Sequence, residues 1–181
     1  MAVPSQGTVA VGDKITASLW NDDVRDAVNF LISPPRCKLY RTTNTSISTG
    51  VWTAVAWNAE TFDTDTMHDN TTNNQRITFT TAGTYLITFR AMWASSAAGA
   101  RSLAIEKNGT TTFNASGTEI VTSFATAPIG STHNGINVTV MAEFAANDYI
   151  MAFVNQTTGG ALNLSATSDA HSSFAALWVA S

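Results

Sequence analysis

The densest group of residues able to do chemistry is an acidic segment in the first half of the chain. Asp63, Asp65 and Asp69 supply three carboxylates within seven residues, and His68 adds an imidazole. Oxygen-rich loops bind Ca²⁺, so these aspartates are candidates for a metal site. The segment is not an EF-hand, because counting from Asp63 places His68 where that loop needs glycine and Asn74 where it needs glutamate. The alternative is a loop held by Asx turns, and we expect no cofactor.

Motifs of nucleophilic catalysis and of phosphate binding are missing. The sequence contains no Gly-x-Ser-x-Gly, Ser-x-x-Lys, Gly-x-x-x-x-Gly-Lys or Gly-x-Gly-x-x-Gly. His68, His133 and His171 lie in separate turn-like segments, and none has a partner at His-x-x-x-His spacing. We therefore expect a protein that is not an enzyme and has no catalytic residue. A hydrolase of cell-wall polymer, acting through Asp63, Asp65 or His68, is the alternative.

Charge is scarce, and its sign disfavours nucleic acid. Only 12% of residues are charged, the net charge is −4, and no Lys or Arg follows Lys107. Nucleic-acid binding needs clustered Lys and Arg to neutralise phosphate, so we expect no nucleic-acid partner. No run of about 18 apolar residues and no secretion signal is present, so we expect no membrane partner and synthesis in a cytoplasm. The single cysteine, Cys37, is interpreted as a buried hydrophobic residue.

One helical pattern lies near the start of the chain. Thr16 is the predicted N-cap, and Ser33-Pro34-Pro35 ends the helix because proline lacks an amide donor. A helix this short needs packing, so its apolar stripe must cover its own domain, a sister subunit or a larger assembly. The stripe consists of Leu19, Trp20, Val24, Val28 and Leu31. We predict an N-terminal arm over residues 1–35 and a separate head over residues 36–181.

From Arg36 onward, short alternating runs separated by turn residues predict an all-β head. The predicted strands are 36–43, 51–57, 76–80, 83–94, 101–107, 119–126, 135–145, 148–155, 161–166 and 172–180. About ten strands joined at this spacing indicate an antiparallel sandwich, since the crossover helices of a parallel sheet would need more chain.

Three of these strands are apolar on both faces. Strand 83–94 carries Leu86 and Met92 opposite its aromatic residues, and strands 148–155 and 172–180 behave in the same way. One face of an antiparallel sandwich normally meets water, so this pattern predicts a second contact, most economically between identical subunits. The residues predicted for the core or the trimer interface are Tyr85, Phe89, Trp93, Tyr149, Phe153, Phe174 and Trp178.

Five tryptophans raise the alternative of a carbohydrate platform, because aromatic faces stack on sugars. Trp52 and Trp57 fall on opposite faces of one predicted strand, so at most one of them serves any given surface. Packing is the stronger interpretation of the tryptophans. The loops 108–118, 127–135 and 156–160 are better candidates for a ligand site than the strands.

Three segments resemble the C1q/tumour-necrosis-factor-like jelly roll. Gly83-Thr-Tyr85-Leu-Ile-Thr-Phe89 resembles the Gly-x-Tyr-x-Phe strand of that family, with one extra residue between the aromatics. Residues 141–153 resemble its hairpin, with Asn147 in place of glycine at the turn. Ser173-Phe174-Ala-Ala-Leu177-Trp resembles its closing strand, with alanine in place of glycine. The resemblance covers residues 36–181 and implies a ten-stranded antiparallel jelly roll that assembles as a homotrimer.

The N-terminal part is similar to a different group. Gly7-Thr-Val, the segment 19–31 and Pro34-Pro35 resemble the leader of tailed-bacteriophage virion proteins that carry a C1q-like head. The resemblance implies that residues 1–35 dock onto other virion proteins, in a particle assembled in the host cytoplasm. A minor tail or fibre protein that contacts host-surface polysaccharide, and a capsid decoration or head-fibre protein, both fit. A stand-alone glycan-binding module is a further alternative.

Overall fold

Two antiparallel sheets packed face to face form the head. The computed structural model describes residues 3–4, 7–8, 10–126, 133–167 and 170–181. Its helical part consists of α1 (Ala17–Trp20), a π-helical turn (Asn21–Arg25) and α2 (Asp26–Ile32). The strands are β1 (Arg36–Tyr40), β2 (Thr45–Ile47), β3 (Thr53–Ala54), β4 (Ala59–Asp63), β5 (Arg76–Thr78), β6 (Gly83–Trp93), β7 (Ala100–Lys107), β8 (Thr118–Thr126), β9 (Asn134–Phe144), β10 (Tyr149–Gln156), β11 (Leu162–Leu164), β12 (Ala166–Thr167), β13 (Ala170–His171) and β14 (Ser173–Ala180).

The strand order is that of a jelly roll. The first sheet runs β2-β11-β6-β14-β1-β4, and β9 pairs with β6 as well. The second sheet runs β3-β10-β7-β8, with β5 also paired to β10, and β12 and β13 form a separate two-stranded ribbon. The last long strand, β14, lies between β1 and β6, so elements distant in sequence are neighbours in the sheet. This order confirms the predicted all-β antiparallel jelly-roll architecture.

The core between the sheets is aromatic. Tyr85, Phe89 and Trp93 alternate along β6 and are all fully buried, because every second residue of a strand faces the same side. Trp57 stacks on Phe174 with ring centroids 5.8 Å apart and meets Phe89 edge-on at 6.1 Å. Large rings bury more apolar area for each residue than aliphatic side chains do, so this cluster contributes strongly to the stability of the head.

Several strand boundaries differ from the predicted ones. Only Thr53–Ala54 of the predicted strand 51–57 forms a ladder, although Val55 still donates a hydrogen bond to the Ala152 carbonyl at 2.9 Å. β1 ends at Tyr40, and the guanidinium of the next residue, Arg41, donates to the carbonyls of Thr43 and Ala56. The short strands β2 and β4 were not predicted, since their polar sequences lack an in/out alternation.

The reverse face of β10 is covered by the chain itself. Ile150, Ala152 and Val154 face the core between the sheets, yet Met151 and Phe153 on the outer side are also buried. Phe113, from the loop between β7 and β8, packs over Phe153 with ring centroids 5.3 Å apart. The doubly apolar pattern of this strand therefore needs no second subunit, contrary to the expectation from the sequence.

The helical segment is fixed to the head by a residue outside the predicted stripe. Thr16 caps the helix as predicted, accepting a hydrogen bond from the Leu19 amide at 3.2 Å. Phe30 is 4% exposed and packs edge-on against Trp178 of β14. No helix in the described part of the chain is long and apolar enough to cross a membrane.

Candidate functional site

The outward side of the first sheet carries apolar residues that the described chain leaves exposed. Leu177 of β14 pairs in register with Leu86 of β6, and Leu86 pairs with Met141 of β9. Residues directly opposite each other on neighbouring strands share a face, so these three side chains form one row. Leu86 is half-buried, whereas Leu177 is 38% and Met141 60% exposed. We call the outward side of β4, β1, β14, β6 and β9 the open face.

A groove with a volume of about 260 Å³ crosses the open face. Phe62 of β4, Leu86 of β6 and Leu177 of β14 are among the residues that line it. Arg36 also lines the groove, and its guanidinium lies 5.1 Å from the centroid of the Phe62 ring. Because the lining is predominantly apolar, the groove suits an apolar protein surface better than a polar small molecule.

A second exposed apolar surface is the predicted stripe of the N-terminal helix. Trp20 is 55% exposed and Leu31 is 72% exposed, Val24 and Val28 are also exposed, and Leu19 is half-buried. Ile32, which the pattern did not assign to the stripe, is as exposed as Leu31. Trp20, Val24, Val28 and Leu31 therefore lie on the exposed side of the helix, whereas Phe30 packs on the head.

The arm and the head meet at β14. The Trp178 amide donates a hydrogen bond to the Pro35 carbonyl at 2.9 Å, and the Thr64 hydroxyl donates one to the Pro34 carbonyl at 2.9 Å. Together with the Phe30 ring on Trp178, these bonds fix the direction in which the helix leaves the head. The strand that carries Leu177 on the open face thus also holds the arm.

The seven aromatic residues predicted for the core or an interface have different places. Tyr85, Phe89, Trp93 and Phe174 are fully buried between the sheets. Phe153 is buried beneath Phe113 on the outer side of the second sheet, and Tyr149 lies half-buried beside it. Trp178 is half-buried under Phe30. The open face is instead formed by the aliphatic residues on the reverse sides of β6 and β14, together with Met141, which the sequence did not single out.

The acidic segment uses its carboxylates within its own loop. Asp63, the last residue of β4, accepts hydrogen bonds from the amides of Asp65 at 3.1 Å and His68 at 2.9 Å. Asp65 is 6% exposed and accepts from the hydroxyls of Thr80 and Thr81. Both are therefore engaged by donors of the surrounding backbone and side chains.

Asp69 closes an Asx turn of its own. It accepts hydrogen bonds from the Thr71 hydroxyl at 2.7 Å, the Thr71 amide at 2.8 Å and the Thr72 amide at 3.1 Å. These donors, the Thr71 hydroxyl first, lower the pKa of Asp69 to about 2. Within residues 10–126, 133–167 and 170–181, no three side chains of His, Cys, Asp or Glu come together as a metal site would need.

The histidines are engaged in local contacts. The buried His68 ring lies between the Glu60 carboxylate, 2.8 Å from Nδ1, and the Asn74 carbonyl, 3.2 Å from Nε2. His171 meets the Tyr40 ring edge-on at 5.9 Å, and His133 is exposed. Both nitrogens of His68 face acceptors, so this ring holds the loop to β4 and offers no free nitrogen to a substrate.

Cys37 is fully buried on β1 in the core. Burial raises the pKa of its thiol, and the nearby charges of Asp63 and Glu60 add to the effect. The thiolate is the reactive form of cysteine, so Cys37 is an inert packing residue, as the sequence indicated.

Two of the predicted ligand loops can be placed. Residues 108–117 fold over the outer side of β10, so this loop covers hydrophobic residues. Residues 157–160 form a turn between β10 and β11. Most of the third loop, residues 127–132, lies outside the described residues.

Comparison with known proteins finds similar solved structures. Murine APRIL at pH 5.0 has a TM-score of 0.57 and 12% identity over 79% of this chain and 98% of that chain. The globular domain of zebrafish complement 1qA has a TM-score of 0.55 and 12% identity over 80% and 97%. Eiger TNF from S. frugiperda has a TM-score of 0.56 and 7% identity over 81% and 94%. No protein-family model and no curated protein sequence matches. The head therefore has the TNF/C1q-like jelly-roll fold.

Proposed function

We propose that the protein is a non-enzymatic, homotrimeric structural protein of a tailed-bacteriophage virion, whose arm docks onto the particle while the head projects. One observation carries the proposal: a small, charge-poor molecule presents two separate apolar surfaces, the open face and the helix stripe. A soluble monomer rarely exposes contiguous apolar patches without a binding role. Two separate apolar surfaces therefore indicate two different binding partners.

The open face is proposed as the contact between subunits. Its row of Leu177, Leu86 and Met141, with the adjoining groove, is apolar at the centre. Of the charged residues on this face, the basic Arg36 and Lys38 lie on β1 and Arg90 lies on β6, whereas the acidic Glu143 lies on the β9 side. In the proposed trimer each copy makes the same contact with the next copy around a three-fold axis. The β9 side of one copy then lies against the β1 side of the next, so that Glu143 lies near Arg36 and Lys38 of the next copy. This arrangement supports the trimer that the family resemblance implies.

The helix stripe is proposed as the anchor to other virion proteins. The head does not bury the exposed side chains of the stripe, because the helix contacts the head through Phe30 instead. These exposed side chains are Trp20, Val24, Val28 and Leu31. Burying such side chains in a partner stabilises the complex by about 25 cal/mol for each Å² removed from water. The helix is held at a fixed angle by Trp178 and Pro35, so it presents the stripe ready for docking.

The test separates the two surfaces. In a phage that encodes the double variant Val28→Glu with Leu31→Glu, we expect the protein to fold and to remain trimeric. Mass spectrometry of the purified particles should nevertheless find no variant protein in them. Val51→Glu is the matched control, because Val51 is an exposed apolar residue of the head. Incorporation of the double variant at the normal level would refute the anchor. Cryo-electron microscopy of the particles then assigns the protein to the tail, as a minor tail or fibre protein, or to the capsid, as decoration or a head fibre.

A further inference from the structure

Four residues form a row across the outer side of the second sheet. Asn155 of β10 pairs in register with Ser102 of β7, and Ser102 pairs with Phe124 of β8. Extending the pairing of Val154 with Thr53 by one residue places Trp52 beside Asn155. The row therefore runs Trp52, Asn155, Ser102, Phe124. Strands are spaced by about 4.8 Å, so the two aromatic ends are about 14 Å apart.

The middle of the row is polar and unpaired. Asn155 is only 8% exposed, yet its amide makes no hydrogen bond to any residue that the structure describes. The Ser102 hydroxyl, half-buried beside it, has no such bond either. The polar atoms of the Asn155 amide are not among the fully buried atoms that lack a partner in the described chain, so they can be reached from solvent and can bond to a ligand. These groups are therefore suited to a ligand that both donates and accepts hydrogen bonds.

The ends of the row are aromatic. Phe124 is 76% exposed, which is unusual for a ring of its size on a monomer surface. Trp52 is half-buried and stacks on Phe113 at 4.3 Å, so its ring is held in place while part of it stays accessible. Aromatic rings stack on the C–H faces of pyranose sugars, and the hydroxyls of the same sugars bond to amides and hydroxyl side chains.

We propose that this row binds a short run of linked, uncharged sugar residues, stacked on Trp52 and Phe124 and hydrogen-bonded to Asn155 and Ser102. The sugars are uncharged because the row itself has no charge. On this side of the described strands the nearest acidic residues, Glu106 and Glu119, pair two rows away, about 14 Å along the strands. An apolar protein surface would leave the Asn155 amide unmet, which disfavours a protein partner.

The inference rests on the proposed function only in assigning the sugar to a host surface. Sugar binding belongs to the second sheet, whereas the trimer contact and the anchor belong to the open face and the helix. Failure of sugar binding therefore leaves particle incorporation unaffected, and failure of incorporation leaves sugar binding unaffected.

The experiment uses the purified full chain on an array of immobilised, uncharged oligosaccharides of glucose, galactose, mannose and N-acetylglucosamine. Probes that bind are then titrated in solution with tryptophan fluorescence as the readout. We expect saturable binding of at least one probe, and Phe124→Ala and Asn155→Leu should each weaken it by about tenfold or more. Thr118→Ala, an exposed change at the far end of β8, should bind as the parent protein does.

Three results would overturn the inference. The first is that no probe binds, and the second is that all variants bind equally. The third is that Phe124→Ala changes the oligomeric state measured by sedimentation, which would indicate that the row lies in a subunit interface. If Asn155→Leu does not fold, Phe124→Ala and Ser102→Ala decide the question, because truncation of an exposed ring or a hydroxyl leaves the core intact.

Discussion

Phe30 of the N-terminal helix packs edge-on against Trp178 of the last strand, with ring centroids 4.7 Å apart and planes at 89°. The contact joins the N-terminal helix to β14 and adds to the cover of Trp178, which also packs against the core. It also sets which side of the helix is free, because Phe30 faces inward and the stripe faces out. The arm is thus oriented by the head even though it is proposed to serve a different partner.

Replacing Phe30 with alanine should release the helix. The edge-on contact is lost together with the burial of the ring, and we expect a loss of about 3 kcal/mol in the free energy of unfolding. Limited proteolysis should then cut within residues 17–32 before the head is attacked. Leu31→Ala, at an exposed neighbouring position, should change the free energy by less than about 0.5 kcal/mol. Equal effects of the two changes would show that Phe30 does not hold the arm.

Introducing a charge on the open face should dissociate the trimer. In Leu177→Asp the carboxylate would be buried in the proposed subunit interface, where an unpaired charge is strongly unfavourable. Analytical ultracentrifugation at micromolar concentration should report a folded monomer for this variant and a trimer for the parent protein. Thr122→Asp, exposed on the outer side of the second sheet, is the matched control and should stay trimeric. A monomeric parent protein would end the trimer proposal.

The sequence was sufficient for the architecture because its strongest signals are local. Tyr85, Phe89 and Trp93 alternate with period two along β6, and that alternation alone places them on one side of a strand. Which neighbour covers the reverse side is not a local property. Phe113 lies forty residues before Phe153, in a turn-rich loop with no periodicity, so its cover of β10 could not be predicted.

The candidate sites were harder to predict than the fold for a related reason. The row from Trp52 to Phe124 exists only through the register of four strands, and register is set by tertiary packing. Val28 and Phe30 lie on opposite sides of the regular helix α2, and the sequence pattern does not reveal which of these sides packs against Trp178. The sequence shows the cluster of carboxylates in the acidic segment directly. Its spacing does not reveal that these carboxylates accept hydrogen bonds from amides of their own loop.

Removing the cover of β10 should destabilise the head without changing its oligomeric state. In Phe113→Ala the stacked contact with Trp52 and the contact with Phe153 are both lost. Because Phe113 is half-buried, we expect the free energy of unfolding to fall by about 2 kcal/mol, less than for a fully buried ring. Thermal unfolding measures this loss, and sedimentation checks the subunit count. Thr111→Ala in the same loop is the control, since Thr111 is exposed and should have little effect. A stable Phe113→Ala protein that dissociates would instead place this face in the subunit interface.

The Asx turn at Asp69 should persist to strongly acidic pH. Its hydrogen bonds lower the folded-state pKa to about 2, below that of an unfolded aspartate, so the stabilisation is complete above the unfolded value and is lost as pH falls through about 2. Proton NMR of the Thr71 and Thr72 amides should show a single titration with its midpoint near pH 2. Asp69→Ala should abolish that titration, whereas Asp65→Asn should leave it in place. A midpoint near the ordinary value of an aspartate, about 3.9, would show that the Asx turn is not formed in solution.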